Sequence, residues 1–300
     1  MLTRRQRWWI GGIALLALVV GFIAFSFGGG EKVPFHKGKS LQEWFDSPSG
    51  PGMYSGDDSN VMAVVAIGSD AVPFLMRELC VSDARLAELP RKLWSKLGLV
   101  RREYIPADRR RMKAYFCLLH LGTNADSALP QLIMIAQDES HQSLGLAMGL
   151  LGFSRSSPTM VIPELQKLIT DPRSRAFAPA ITALSLQGTN ARPALPRLQE
   201  IERATNIFVG FRIEAAIARV LIDATDRQSL DFIVEQWDNT NVSREVIVQT
   251  LKLLGTNATP ALPAMRKMVQ TETDNYHRYS LSNAIRLLET ASGMEPSGPR

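Results

Sequence analysis

Gly122-Thr-Asn-Ala-Asp-Ser-Ala-Leu-Pro130 returns as Gly188-Thr-Asn-Ala-Arg-Pro-Ala-Leu-Pro196, and again as Gly255-Thr-Asn-Ala-Thr-Pro-Ala-Leu-Pro263. At ordinary residue usage a given tetrapeptide occurs about once in 10⁵ positions, so three copies with one tail mark an internal repeat. Gly68-Ser-Asp-Ala-Val-Pro73 is a looser copy, with Pro73 where Pro193 and Pro260 stand. A degenerate copy starts at Gly152 and reaches Ile162-Pro163 after a few extra residues. From Gly68 to Gly255 the spacings are 54, 30, 36 and 67 residues, and the last divides near Asp223. The unit is therefore about 35 residues long, with about 20 inserted between the first two copies.

Each unit reads as two helices. Before Gly122, the residues Met112, Tyr115, Phe116 and Leu119 fall at i, i+3, i+4 and i+7. After it, Leu129, Leu132, Ile133 and Ala136 repeat the spacing, as do Val72, Leu75, Met76 and Leu79, and Leu281, Ala284, Ile285 and Leu288. Such stripes are the apolar faces of amphipathic helices. No segment alternates with period two for long enough to suggest a sheet. In the motif itself, Gly68, Gly122, Gly188 and Gly255 are expected in the left-handed conformation that ends a helix. The residues after them, Ser69/Asp70, Thr123/Asn124, Thr189/Asn190 and Thr256/Asn257, are expected to cap the next helix. A proline follows in the first turn, where its missing N–H costs least. Capping accounts for the repeated Thr and Asn without any catalytic role. The expected fold is all-α: an α-solenoid of about six helix pairs.

These units, LHLGTNADSALPQLIMIAQD, SLQGTNARPALPRLQEI and LLGTNATPALPAMRKMV, resemble HEAT repeats of the Ala/Gly/Pro-rich bacterial type. The leader from Lys37 to Ser47, carrying Trp44 and Phe45, resembles the segment that precedes the first repeat in such proteins. The likeness spans residues 36–290. It implies antiparallel helix pairs stacked into a curve, with second helices lining a concave surface. It departs at the insertion and at the poorly marked units near 152 and 223.

A second feature lies outside the repeats. Trp8 to Phe27 is a run of twenty uncharged residues. As a helix it measures about 30 Å, the thickness of a bilayer's hydrocarbon core. Trp8 and Trp9 sit at one edge, and Arg4, Arg5 and Arg7 precede them. That arrangement reads as a single-pass anchor with its N-terminus cytoplasmic and the repeats on the outer side. A cleaved signal peptide ending near Ala24-Phe25-Ser26 and a buried core helix are the competing readings; the run is long for the first and too uninterrupted for the second.

Charge is concentrated rather than large. The chain has 34 Lys+Arg and 29 Asp+Glu, net +5. Residues 85–113 hold ten basic and three acidic residues, so the bulk of the repeats is net acidic. Within the insert at 84–106, Leu93, Trp94 and Leu97 alternate with Arg91, Lys92 and Lys96. Arg91, Lys92, Lys96, Arg101 and Arg102, with Trp94 as apolar anchor, are the candidate contact for an acidic protein or an anionic membrane surface. A plain solvated helix bridging two repeats is the competing reading. Nucleic acid is disfavoured by the expected exterior location.

Catalytic signatures are missing from the sequence. His36, His120, His141 and His277 never stand at i, i+4, and no H-E-x-x-H occurs. Cys80 and Cys117 read as buried thiols, or as one disulfide in an oxidising compartment. Gly38-Lys39-Ser40 imitates the end of a phosphate loop, but Val33 stands where the earlier glycine is required. Ser40 and Glu43 instead make a capping box for a short helix. The domain expectation is an anchor (residues 1–30), a linker with a short helix (31–56), the solenoid (57–290) and a flexible tail (291–300). The functional expectation is a membrane-anchored scaffold that binds a protein partner, without cofactor or metal. A HEAT-like enzyme, of DNA glycosylase or bilin lyase type, and a passive envelope spacer are the alternatives.

Overall fold

The four motif glycines all adopt positive φ: 78° at Gly68, 55° at Gly122, 58° at Gly188 and 54° at Gly255. A computed structural model describes residues 34–47, 59–81 and 105–294. At Gly122 and Gly255 ψ is −126° and −134°, which is not the left-handed helical region expected from the sequence. It is the first central position of a type II′ turn, which a Cβ disfavours strongly. The expected side-chain caps are also absent. The helices at Leu129–Gln137, Leu195–Arg203 and Leu262–Thr271 begin with no side-chain cap bond. Asn124 and Asn190 are exposed and Asn257 is half-buried. A 3₁₀ stretch after each glycine takes the place of the cap: the N–H of Leu129 bonds to the Asp126 carbonyl, that of Leu195 to Arg192 and that of Leu262 to Thr259. Backbone donors thus satisfied need no side-chain oxygen.

The described residues are all-α apart from one small hairpin. Strands β1 (Phe35–His36) and β2 (Lys39–Ser40) pair antiparallel, with Phe35 opposite Ser40. Lys37 and Gly38, at φ 46° and 78°, make the two-residue turn. Helix α1 (Leu41–Asp46) follows, opened by the expected capping box: Ser40 Oγ accepts from the Glu43 N–H at 3.2 Å, and Glu43 Oε2 from the Ser40 N–H at 2.8 Å. Six helix pairs come next: α2 (Ser59–Ile67) with α3 (Val72–Leu79), α4 (Ala107–Leu121) with α5 (Leu129–Gln137), α6 (Leu144–Phe153) with α7 (Pro158–Leu168), α8 (Phe177–Leu186) with α9 (Leu195–Arg203), α10 (Val209–Ile222) with α11 (Arg227–Glu235), and α12 (Arg244–Leu254) with α13 (Leu262–Thr271). Helix α14 (Asn275–Ala291) closes the described chain.

The backbone contacts are sequential. First helices touch the next first helix, from α2 through α14, and α3, α5, α7, α9 and α13 each lie against the first helix that follows. The units that the sequence marks poorly, around 152 and 223, are helix pairs like the rest. Gly152 is not their turn glycine, however. It lies inside α6, where a Cβ would come within 3.0 Å of the Ala183 backbone in α8. It permits close helix contact instead.

The expected stripes of α3, α5 and α14 face the core: Leu75, Leu132, Ala136, Leu281, Ala284 and Leu288 are all buried. The stripe in α4 is shifted. Met112 is exposed, while Tyr115, Phe116 and Leu119 are only partly buried. The buried row is Arg110, Ala114, Cys117, Leu118 and Leu121. It opens with an arginine and uses small residues where helices approach, so an apolar-pattern reading favours the bulkier aromatic face beside it. Helix α10 carries two stripes. Ala215, Ala218 and Ile222 belong to the core running from α1 to α9, and Ile213, Ala216 and Val220 to a second core reaching α14.

The leader is not a free linker. Phe45 is fully buried and meets Phe74 edge-on at 5.2 Å, and Trp44 Nε1 donates to the His36 carbonyl at 2.8 Å. Hairpin and α1 therefore cover the end of the first pair. The continuous run Ser59–Leu79 is long and apolar enough to cross a membrane by length and composition. Its chain breaks direction at Gly68, and Val61, Val64, Val72, Leu75 and Leu79 are buried in the core, so it serves as the first helix pair. Cys80 and Cys117 form no disulfide.

Candidate functional site

Arg91, Lys92, Trp94, Lys96, Arg101 and Arg102 lie outside the described residues, as do the run from Trp8 to Phe27 and the last residues of the tail. The flank of the insert is described, and it changes the charge reading. Arg110, at the start of α4, is nearly buried; its Nε donates to Glu78 Oε2 at 2.6 Å and its Nη1 to Asp46 Oδ1 at 3.1 Å. Burial works against the guanidinium's charge, and the two carboxylates outweigh it, so its pKa is raised. Arg111 Nη1 donates to the Val81 carbonyl and to Gln142 Oε1, both at 2.9 Å, and Lys113 Nζ donates to the Ser47 carbonyl at 3.0 Å. Arg110 and Lys113 also lie 5.5 Å from the Phe45 ring centre. Three of the ten basic residues in 85–113 are thus internal ties between α1, α3 and α4, not part of an outward patch.

A second buried knot joins α9, α10 and α11. Arg219 pairs with Glu202 and with Asp226, each at 2.7 Å. Ser229 Oγ donates to Glu202 Oε2 at 2.6 Å, and Asp226 caps α11 by accepting from the Ser229 N–H. Arg219 Nε remains without a partner in the described structure. Two broad hollows of about 610 and 500 Å³ flank this knot. Their walls mix both signs of charge: Arg203, Arg212, Asp231 and Glu235 around one, Arg227 and Asp223 around the other. Such surfaces offer hydrogen bonding over an extended area, not a converging set of catalytic groups.

Elsewhere, Glu214 on α10 has one oxygen buried without a partner, and burial raises its pKa. His120 sits in the last turn of α4, its Nδ1 2.7 Å from the Phe116 carbonyl. Among the described residues no three His, Cys, Asp or Glu side chains cluster closely enough to hold a metal. A smaller hollow, about 160 Å³, lies between the turn after α4 and the loop after α6. The sequence signal for it is indirect: the third unit lacks the Gly-Thr-Asn-Ala turn. The buried arginines carry no such signal, because the row on which Arg110 precedes Ala114 is less apolar than the aromatic row beside it.

No protein-family model matches this chain, and no curated protein matches it by sequence.

Proposed function

We propose that this protein is a membrane-anchored α-solenoid of HEAT-like repeats that acts as a scaffold for a protein partner. One observation carries the reading: helix pairs that contact mainly their sequence neighbours, as α2 through α14 do, build an elongated body with a large continuous surface. Surfaces of this kind bind by extended contact. The residues from Trp8 to Phe27 hold the body to the bilayer, with Arg4, Arg5 and Arg7 on the cytoplasmic side and the repeats outside. The partner is an acidic protein, met by Arg91, Lys92, Lys96, Arg101 and Arg102 with Trp94 between them. With Arg110, Arg111 and Lys113 committed to the interior, the basic residues left for a partner in 85–113 are the six of the insert and Arg109, exposed on α4.

Two measurements test this. Protease added to spheroplasts should digest the repeat region; digestion only after lysis reverses the orientation. Affinity capture with the full chain should recover an acidic protein, and changing the five basic insert residues to Gln should abolish that capture without altering the melting temperature. Capture unaffected by the five changes at low salt removes the insert from the function.

A further inference from the structure

The hairpin ahead of the first helix pair presents an unusual set of side chains to solvent. Phe35 is 71% exposed. Its register partner is Ser40, so it shares its face of the hairpin with a hydroxyl and not with an apolar side chain. His36 and Lys39 occupy the other face, where Lys39 Nζ lies 4.5 Å from the Trp44 ring centre. Lys37 and Gly38 form the tip. Among the described residues Lys37 is the one non-glycine residue at positive φ, 46°. A two-residue turn with both central residues at positive φ normally takes Asn-Gly. Lysine there works against the turn, because its Cβ disfavours this region and its side chain cannot accept a local hydrogen bond. Strain retained at a charged tip points to a use for the charge.

The hairpin is fixed to the body. The Leu41 N–H donates to the Pro34 carbonyl at 2.9 Å, and Leu41 and Phe45 are buried. The acids of this region are occupied, Glu43 by Ser40 and Asp46 by Arg110. Phe35, Lys37 and Lys39 are all exposed, so the hairpin offers one ring and two ammonium groups. Chain length says what stands opposite them. The uncharged run ends at Phe27, and Phe35 follows eight residues later. Eight residues reach at most about 28 Å when fully extended. A headgroup layer of about 6 Å takes up the first part of that distance. With the run in a bilayer, the hairpin is confined close to the lipid surface. At such a local concentration, a contact too weak to hold a free protein becomes populated. An aromatic ring beside lysines is also the composition that suits an anionic interface.

We infer that the hairpin docks on the bilayer, with Phe35 entering the interface and Lys37 and Lys39 meeting anionic headgroups. The inference rests on the anchor reading of Trp8 to Phe27, and adds the place where the body touches the membrane. The test uses the full chain in phosphatidylcholine vesicles containing roughly a third phosphatidylglycerol. The photoreactive residue p-benzoylphenylalanine replaces Phe35 in one sample, Val19 in a second, and Leu253, 67% exposed on α12, in a third. Irradiation followed by mass spectrometry measures lipid adducts. Adducts should form at 35 and at 19, and hardly at 253. Lys37→Asn with Lys39→Gln should lower the yield at 35 at least about threefold, as should high salt or pure phosphatidylcholine, and leave the yield at 19 unchanged. The same variant should melt no lower than the wild type, because asparagine suits the turn. Adducts at 19 without adducts at 35 would overturn the docking and leave the anchor standing. Adducts at 35 without adducts at 19 would support the contact and overturn the anchor, and absence at both would overturn both. Equal yields at 35 and 253, or a yield at 35 indifferent to the lysines and to phosphatidylglycerol, would reduce the contact to passive nearness and overturn the docking.

Discussion

Arg110 shows what a single residue does here. Its guanidinium ties Glu78 and Asp46 in a nearly dry site, so truncation removes a charged partner from two carboxylates at once. Arg110→Ala should cost about 3–5 kcal/mol in urea unfolding, the range for breaking a buried pair. A loss under about 1 kcal/mol would mean the site is wetter than described. Glu214 acts in the opposite direction. Its carboxyl is held above the ordinary glutamate range by burial and has no partner for one oxygen. A raised folded-state value means that ionisation opposes folding: relative stability is fully present below the unfolded-state pKa and is lost as pH rises through the folded-state one. Glu214→Gln should therefore raise the melting temperature at pH 7, and the gain should vanish at a pH below the ordinary glutamate value. A gain that is independent of pH would point to something other than ionisation.

Among elements, the turns and helices of each unit can be probed with matched pairs. At Gly122 an added Cβ would touch nothing within 4 Å, so Gly122→Ala isolates the backbone cost of φ 55°, ψ −126°. A loss of about 1–3 kcal/mol is expected. Gly145, on the exposed side of α6, is equally uncrowded but has no positive φ. Gly145→Ala should stabilise by roughly 0.5–1 kcal/mol, since only the entropy and propensity terms remain. Equal effects at the two sites would contradict the turn geometry. Leu132→Asp and Leu251→Asp place a charge at positions 3% and 0% exposed, and each should cost more than about 3 kcal/mol by thermal or urea unfolding. Helix pairing, the stripes of α3, α5 and α14, and the Ser40–Glu43 box were all legible in the sequence because periodicity and capping are local. The Gly122 conformation was legible only as positive φ, since the choice between αL and a II′ turn depends on the 3₁₀ stretch behind it. The α4 face was misread because Arg110 and Cys117 look less apolar than Phe116, and only tertiary partners make them core. Of the candidate site, the basic cluster could be counted but not sorted: nothing local tells Arg110, turned inward, from its neighbours.

For the whole molecule, the described core begins at α1 and ends at α14. Residues 31–300 should therefore fold without the N-terminal run, giving a strongly helical circular dichroism spectrum and a cooperative melt. A spectrum dominated by strand or coil would refute the repeat architecture. The buried ion pairs carry a final consequence. Arg110 reaches from the second helix pair to the first, Arg219 from the fifth to the fourth, and the half-exposed Arg266 from the sixth to buried Glu289 on α14. The apolar surfaces of the units are similar enough to suggest interchangeable bricks. The charges are not: each lock finds its key at one junction only. Shuffling two units, or deleting one from the middle, would match leucine to leucine and still strand a charge inside. Such a chain evolves by adjusting units in place and by growth at its ends, and designers who reorder it must carry each arginine along with its acid.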